Sequence, residues 1–317
     1  MHRRQFVGSC AAAALGASAI RPGDPPLPGG LLEAASPGAG SLISVMLWTA
    51  ERKLTFEQRI SKVAEAGYHA VELVGEYDSW TPAAFARARQ QLHSLGIVVD
   101  ACSGIDASLC DPAQRDALLD QIRAKLPVLA ELECPRLILL TGDRVPGFTH
   151  QQMHANCVEA LKRAAELAAP QNVELLLENI DPEENPNYFL TSVAEGFLVI
   201  REVNHPRVRF LYDFYHEQIS EGNLIAKLEK NIDLIGLVHI ADVPGRHEPG
   251  TGEINYANIF RKLGQLRYSR YVAMEFNPTG DTVAALRSAR EFAEKNLAAG
   301  RSLAAKSIAS GGNDASS

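Results

Sequence analysis

The sequence lacks the features that mark several common protein classes. It has five cysteines in 317 residues and no CxxC spacing, and a core of this size needs no disulfide for its stability. In an oxidising compartment Cys102 and Cys110 are a candidate pair, and four buried thiols are the alternative. The formal net charge of −7 offers no basic surface to a nucleic-acid backbone. These absences favour a small-molecule partner.

The apolar stretch near the amino terminus is too short to cross a bilayer. It runs from Val7 to Ile20, whereas a transmembrane helix needs about 20 residues. The preceding Arg3–Val7 segment and the closing Ala17–Ala19 segment are typical of a twin-arginine export signal. We therefore expect residues 1–20 to be a signal peptide that is removed. The mature protein is then soluble and exported, to the periplasm or the cell exterior, without a membrane partner.

Two other segments have compositions that do not favour a packed core. Residues 21–40 are rich in Pro, Gly and Ala, which predicts a disordered linker. The end of the chain, residues 301–317, closes on Ser-Gly-Gly-Asn-Asp-Ala-Ser-Ser and is predicted to be a disordered tail. Residues 41–300 remain as a single domain, and the hydrophobic content of 46% is ample for its core.

Between Leu42 and Asn296, short apolar runs alternate with longer amphipathic stretches. This alternation is typical of parallel strands joined by crossover helices. Thr81-Pro82 and Asp111-Pro112 mark helix starts, because proline is favoured in the first turn. The predicted strands are Leu42–Leu47, Ala70–Val74, Val98–Ser103, Arg136–Thr141, Val173–Glu178, Val208–Asp213, Ile235–Ala241 and Tyr271–Phe276.

Eight such units predict an α/β fold of the (β/α)₈ TIM-barrel class. The typical size of this barrel is about 250 residues, which fits residues 41–300. A doubly wound open sheet is the alternative. That fold normally has a glycine fingerprint after its first strand, and the Leu47–Ala50 segment has none.

The last four predicted strands end in residues suited to catalysis or metal binding. They are Glu178, Asp213, His239 and Glu275, separated by 35, 26 and 36 residues. One βα unit of such a barrel takes about 31 residues, and barrel enzymes place their catalytic groups at the carboxyl ends of the strands. We therefore expect these four side chains to meet at one rim.

Three carboxylates at one rim repel one another, by roughly 1 kcal/mol per pair at 4 Å in water and about 4 kcal/mol at an effective dielectric of 20. Such a group needs a cation. Three carboxylates and one imidazole suit Mn²⁺, Mg²⁺ or Co²⁺ and tolerate Zn²⁺. The sequence thus predicts one divalent cation at this rim.

The loop that follows the seventh predicted strand is also unusual. It extends to Tyr256 and combines several glycines and prolines with Asp242, Arg246, His247 and Glu253. Glycine and proline prevent strand or helix from continuing. A long loop with so many functional groups favours a binding role over a solvated connector.

From Leu137 to Pro278 the chain resembles the hydroxypyruvate isomerases, within the wider xylose isomerase-like sugar isomerase and epimerase barrels. The first three strands resemble that family in pattern only. The segments that carry the resemblance are Pro146–Phe148, Glu178–Asp181, Tyr212–His216, Glu221–Leu224, His239–Asp242, Gly245–Tyr256 and Glu275–Pro278.

The resemblance implies a divalent metal bound by Glu178, Asp213, His239 and Glu275. It also implies that Glu178 and Glu275 act as acid and base on opposite faces of a metal-chelated hydroxycarbonyl compound, through an enediolate. Two further residues are implied to contact the substrate, His216 and Arg246, whose planar fork suits a carboxylate or hydroxyl group. Glu184, six residues beyond Glu178, is a further candidate contact, with a solvated loop charge as the alternative.

One position departs from the hydroxypyruvate isomerases, which typically carry glutamine where this chain has His239. Ketose 3-epimerases of the same superfamily carry histidine there. The main expectation is an isomerase of a small hydroxycarbonyl compound or sugar, as a possible homo-oligomer. A ketose 3-epimerase or another exported sugar-processing barrel is the alternative. An endonuclease IV-like phosphodiesterase would need a histidine-rich site with several metals, and an inactive sugar-binding barrel is the non-enzymatic alternative.

Overall fold

The structure is a computed structural model that describes residues 42–311. Within this range the chain alternates strands with helices. The strands are β1 (Ile43–Val45), β2 (Ala70–Val74), β3 (Val98–Ser103), β4 (Arg136–Leu140), β5 (Glu174–Glu178), β6 (Val208–Asp213), β7 (Ile235–Ile240) and β8 (Val272–Met274). The helices are α1 (Phe56–Glu65), α2 (Pro82–Leu95), α3 (Arg115–Glu131), α4 (His150–Ala168), α5 (Val193–Val203), α6 (Phe214–Ser220), α7 (Leu224–Asn231), α8 (Tyr256–Gln265) and α9 (Thr282–Gly311).

The eight strands form one parallel sheet in which neighbours in sequence are neighbours in space. β1 pairs with β8, and a parallel bridge between Met46 and Glu72 joins the end of β1 to β2. The sheet therefore closes almost completely into a barrel, with the helices on its outside. The predicted single-domain (β/α)₈ TIM barrel is confirmed.

Alternation of side chains along the strands separates two groups of buried residues. Leu175 and Leu177 of β5 belong to the large core between the barrel and the helices, whereas Leu176 belongs to a smaller cluster. Because successive side chains of a strand point to opposite faces, the smaller cluster faces the barrel interior. We call it the lumen cluster; its buried members are Met46, Ala101, Ile138, Leu176, Leu211, Leu237 and Ala273.

Side-chain caps fix where the outer helices begin. Thr55 and Thr149 each form a capping box with the glutamine three residues on, at the starts of α1 and α4. Asp213 caps α6 by accepting hydrogen bonds from the backbone N–H groups of Tyr215 and His216, at 2.7 and 3.3 Å. The short helix α6 was not predicted, because it follows β6 without a turn signal.

The carboxyl-terminal helix extends further than the sequence indicated. α9 continues to Gly311, past residue 300, where we placed the start of a disordered tail. The alanine, leucine and lysine residues after Arg301 favour helix, which explains the extension. Residues 312–317 lie outside the described residues, as do the predicted signal peptide and linker. Export remains a prediction.

The cysteines of the barrel are not joined in pairs. Cys102, Cys110, Cys134 and Cys157 are all buried free thiols, so the alternative of four buried thiols describes the structure and the Cys102–Cys110 pair is not formed. Among the described residues, no helix combines the length and apolar character that crossing a membrane requires.

Candidate metal centre and active site

The four predicted ligands lie at the carboxyl ends of four neighbouring strands. Glu178 and Asp213 are the last residues of β5 and β6. His239 is next to last in β7 and pairs in register with Asp213, and Glu275 directly follows β8. Each comes two residues after a member of the lumen cluster. The same alternation that packs the lumen therefore directs all four side chains into it.

These four residues form a compact, buried group, which we call the metal centre. One ligand-type atom from each lies within 4.8 Å of those of the others. His239 Nδ1 is 2.9 Å from Glu275 Oε2 and 3.5 Å from Glu178 Oε1. All four residues are buried. The structure thus brings together every residue that the sequence predicted as a ligand.

Burial and charge move the pKa values of the two glutamates in opposite directions. Burial raises the pKa of Glu178 above its ordinary value, against a smaller lowering by His239. Burial acts in the same direction on Glu275, but Arg246 and His239 outweigh it and hold the pKa of Glu275 below its ordinary range. The two carboxyl groups therefore differ in proton affinity although they share one site.

Two ligand-type atoms in the metal centre make no hydrogen bond within the described part of the chain. They are His239 Nδ1 and Glu275 Oε2, both buried; the 2.9 Å contact between them and the 2.8 Å contact of Glu275 Oε2 with Arg246 Nη2 are ion pairs without hydrogen-bond alignment. Buried polar atoms are nearly always satisfied, and a divalent cation can satisfy a nitrogen and a carboxylate oxygen together. A set of three carboxylates and one imidazole is a mostly hard donor set. The residues present therefore fit a divalent cation.

A second group of residues, which includes the predicted substrate-contact residue His216, lies beside the metal centre. His216, in α6, is buried, with Nδ1 2.6 Å from Asp181 Oδ2 and Nε2 3.5 Å from Asp213 Oδ2. Burial lowers the pKa of His216, but Asp213 and Asp181 outweigh it and raise the pKa to about 9. His216, Asp181 and Glu184 also have ligand-type atoms within 4.8 Å of one another. His216 thus joins the metal centre to the loop after β5.

Arg246 brings a positive charge to the rim of the metal centre. Its Nη2 lies 2.8 Å from Glu275 Oε2 and 3.9 Å from Asp213 Oδ2. Its Nη1 donates to both carboxylate oxygens of Glu184 at 3.1 Å. The predicted substrate-contact residues Arg246 and Glu184 therefore lie together; Arg246 contacts the metal centre, and Glu184 contacts Arg246.

Other charged residues of the loop after β7 have structural partners instead. The side chain of Asp242 accepts hydrogen bonds from the backbone N–H groups of Gly250 at 2.8 Å and Ile254 at 3.0 Å. His247 Nδ1 lies 2.8 Å from the carbonyl oxygen of Asn277. Asp242 therefore organises the loop from within, and the loop presents Arg246 to the centre.

Sequence reasoning missed several residues that line this region. Glu72, a single acidic residue in the apolar β2, has its Oε2 2.9 Å from His239 Nε2. Trp48 donates from Nε1 to Glu275 Oε1 at 3.3 Å, and its ring lies 5.4 Å from the Arg246 guanidinium. Glu72 could have been noticed in the sequence as a candidate, because it is the one acidic residue in the otherwise apolar strand β2. Asp181, next to His216, lay in a segment of the family resemblance but was not assigned a role.

The chain has clear relatives among known proteins. It matches the model of the xylose isomerase-like TIM barrels over residues 60–296. It is 32% identical to hydroxypyruvate isomerase of Escherichia coli (strain K12) over 237 residues, which cover 73% of this chain and 92% of that protein. It is 30% identical to 2-oxo-tetronate isomerase of Pectobacterium atrosepticum over 245 residues, which cover 76% and 93%.

Solved structures show the same architecture. The crystal structure of an AP endonuclease, family 2, from Brucella melitensis matches with a TM-score of 0.72 and 27% identity, over 78% of this chain and 97% of that one. The structure of L-ribulose 3-epimerase matches with a TM-score of 0.70 and 20% identity, over 83% and 96%, which shows the shared fold alone.

The family match and the curated relatives agree with the barrel fold. The prediction of an isomerase is confirmed at the level of enzyme class, because the curated relatives are isomerases that the chain covers almost completely. With its barrel matched over residues 60–296, the chain belongs to the xylose isomerase-like TIM barrel family.

Proposed function

We propose that the protein is a metal-dependent isomerase that moves a proton between adjacent carbons of a small hydroxycarbonyl compound. The observation that carries this proposal is the buried group of Glu178, Asp213, His239 and Glu275 within 4.8 Å at one rim of the barrel. The relatives named hydroxypyruvate isomerase and 2-oxo-tetronate isomerase support short hydroxy-oxo acids as the substrate class.

The metal centre is proposed to hold one cation through these four residues, with Mn²⁺, Mg²⁺ or Co²⁺ favoured by the hard donor set and Zn²⁺ tolerated. When bound, a divalent cation supplies Lewis-acid polarisation of a carbonyl oxygen, which acidifies the neighbouring C–H group. The substrate is a small molecule, and neither nucleic acid nor membrane is a proposed partner. A homo-oligomer is compatible with this proposal.

Glu178 and Glu275 are proposed as the acid and base pair. In the metal-free site burial raises the pKa of Glu178, whereas Arg246 and His239 hold the pKa of Glu275 below its ordinary range; carboxyl groups in such different surroundings are suited to different roles as acid and base. Glu275 takes a proton from one carbon and Glu178 returns one to the neighbouring carbon, while the hydroxyl proton of the substrate passes to the former carbonyl oxygen. The intermediate between these two transfers is an enediolate.

His216 and Arg246 are proposed to orient the substrate. His216 is held by Asp181 at 2.6 Å, so its ring cannot rotate freely. The Arg246 guanidinium offers a planar fork at the rim, 2.8 Å from Glu275, and such a fork suits the carboxylate of a hydroxy-oxo acid. Glu184 holds Arg246 in place from the other side.

A ketose 3-epimerase is the second candidate, and one observation favours it. The fourth donor of the metal centre is His239, the residue expected of that branch, and its Nδ1 lies among the carboxylates. A phosphodiesterase is less well supported, because the metal centre contains one histidine.

The proposed function predicts exchange of carbon-bound hydrogen with solvent. Protein loaded with Mn²⁺ or Mg²⁺ is incubated in deuterated water with hydroxypyruvate, a 2-oxo-tetronate and a ketose in parallel. After removal of the metal, NMR follows the loss of carbon-bound protons. We expect exchange with one of the oxo acids; exchange with the ketose alone would favour the epimerase.

Substitution of either glutamate tests the two-carboxylate mechanism. E178Q and E275Q should each lower the exchange rate by at least about 100-fold, the usual size of an acid or base contribution, while the fold is kept. E183Q, at an exposed glutamate of the loop after β5, is the matched control and should exchange at the wild-type rate. Wild-type exchange in E178Q or E275Q would contradict the mechanism.

A further inference from the structure

Glu72 contacts the metal centre from a strand that is not adjacent to any of the four that carry the centre. It lies in β2, whereas His239 lies in β7, and its Oε2 is 2.9 Å from His239 Nε2. Its side chain is fully buried, so this contact lies inside the barrel lumen and is shielded from solvent. The Met46–Glu72 bridge that closes the barrel holds its backbone in place.

The contact determines which nitrogen of His239 is free to bind a cation. A carboxylate only accepts hydrogen bonds, so Nε2 must carry the hydrogen that it donates to Glu72. In a neutral imidazole the other nitrogen, Nδ1, then has its lone pair available. Nδ1 is the atom that lies 3.5 Å from Glu178 and 2.9 Å from Glu275 and makes no hydrogen bond of its own.

We propose that Glu72 is a positioning residue of the metal centre, which selects the Nε2–H tautomer of His239 and aims Nδ1 at the cation. This inference rests on the metal centre of the proposed function. A carboxylate that accepts from the far nitrogen of a histidine ligand fixes the orientation of the ring and raises its basicity. Glu72 acts through His239 and needs no contact with substrate.

The neighbourhood of Glu72 does not supply another reason for a buried carboxylate. Its Oε1 is buried and makes no hydrogen bond within residues 42–311. The neighbouring buried acid, Asp100, accepts a hydrogen bond from Ser44 Oγ and interacts with His239 only through the longer-range effect of their charges, whereas Glu72 contacts His239 Nε2 directly. A fully buried acid is unfavourable unless a specific partner compensates it, and the compensating partner of Glu72 is His239.

The test compares the Mn²⁺ affinity of metal-free protein by isothermal titration calorimetry. E72Q should bind Mn²⁺ about 10- to 100-fold more weakly than wild type, the usual effect of removing such a partner. D100N is the matched control, a neighbouring buried acid whose pKa is raised by burial and by Glu72, and it should bind within about twofold of wild type. H239A should lose most of the affinity.

The outcomes separate this inference from the proposed function. If wild type binds no Mn²⁺, both are overturned. If wild type binds and H239A does not, but E72Q matches D100N, only the role of Glu72 is overturned. Thermal unfolding of each variant without metal checks that the barrel is folded.

A measurement on the unaltered protein keeps the inference testable if E72Q does not fold. In protein labelled with ¹⁵N and loaded with diamagnetic Zn²⁺, the His239 ring should show a protonated Nε2 and an unprotonated Nδ1. The H239A spectrum identifies the signal. A ring protonated at Nδ1 would overturn the assignment.

Discussion

His216 is a residue whose charge should link stability to pH. Its pKa is raised from 6.5 to about 9, because Asp213 and Asp181 outweigh the effect of burial. Between these two values the folded protein keeps a proton that the unfolded chain releases. The stabilisation is therefore complete below pH 6.5 and is lost as the pH rises through 9.

We predict that H216N flattens this pH dependence. In metal-free wild type, the contribution of His216 to the free energy of unfolding should fall by at most about 3 kcal/mol between pH 6.5 and 9. H216N should lack this contribution. Urea unfolding at several pH values measures it. H93N, at an exposed histidine, is the control, and equal slopes in H216N and wild type would contradict the prediction.

The residues of the site differ in how far sequence could identify them. Glu178 and Asp213 were predictable because each ends an apolar run at the position that faces the lumen. Glu72 was not, because its contact with His239 requires β2 and β7 to face each other across a closed barrel. The register shift between Val71 and Glu72 is also invisible in a sequence pattern, since it depends on pairing with β3.

At the scale of elements, α8 and α9 approach so closely that two glycines are required. A Cβ atom on Gly264 would collide with the carbonyl oxygen of Leu297, and one on Gly300 would collide with that of Arg261. Both neighbours are backbone atoms of the facing helix, so neither can move aside alone. The two glycines therefore set the distance between these helices.

G300A should consequently separate α8 from α9. We expect the free energy of unfolding to fall by about 1–3 kcal/mol, as for other overpacked sites, although alanine favours helix over glycine. Thermal or urea unfolding measures the change. G280A is the control, because a Cβ there would meet nothing within 4 Å; equal stability of the two variants would show that the helices can move apart freely.

Element boundaries were predicted best where burial and capping agree. β2, β3 and β6 match the predicted strands at both ends; a glycine follows β2 and β3, and β6 ends at Asp213, which caps α6. The helix α6 escaped prediction because Asp213 serves twice, as the last residue of a strand and as the cap of the next helix. A pattern that assigns one role to each residue cannot show this.

For the molecule as a whole, the metal centre joins the carboxyl ends of β5 to β8, and Glu72 links it to β2. A cation bound there joins four neighbouring strands, which Glu72 connects to β2, and so it should stabilise the entire domain. A ligand that binds only the folded state adds about 2.7 kcal/mol at 100 times its dissociation constant. That addition should appear as a higher unfolding temperature.

We therefore predict that Mn²⁺ at about 100 times its dissociation constant raises the unfolding temperature by roughly 5–10 °C. This estimate uses a shift of about 2–4 °C for each kcal/mol in a domain of this size. The shift should shrink as the pH falls, because Glu72 and Glu275 raise the pKa of His239 against the effect of burial and a cation must displace that proton. Differential scanning calorimetry with and without Mn²⁺ measures this. H239A should show little shift, whereas H93A should behave as wild type; a full shift in H239A would place the cation elsewhere.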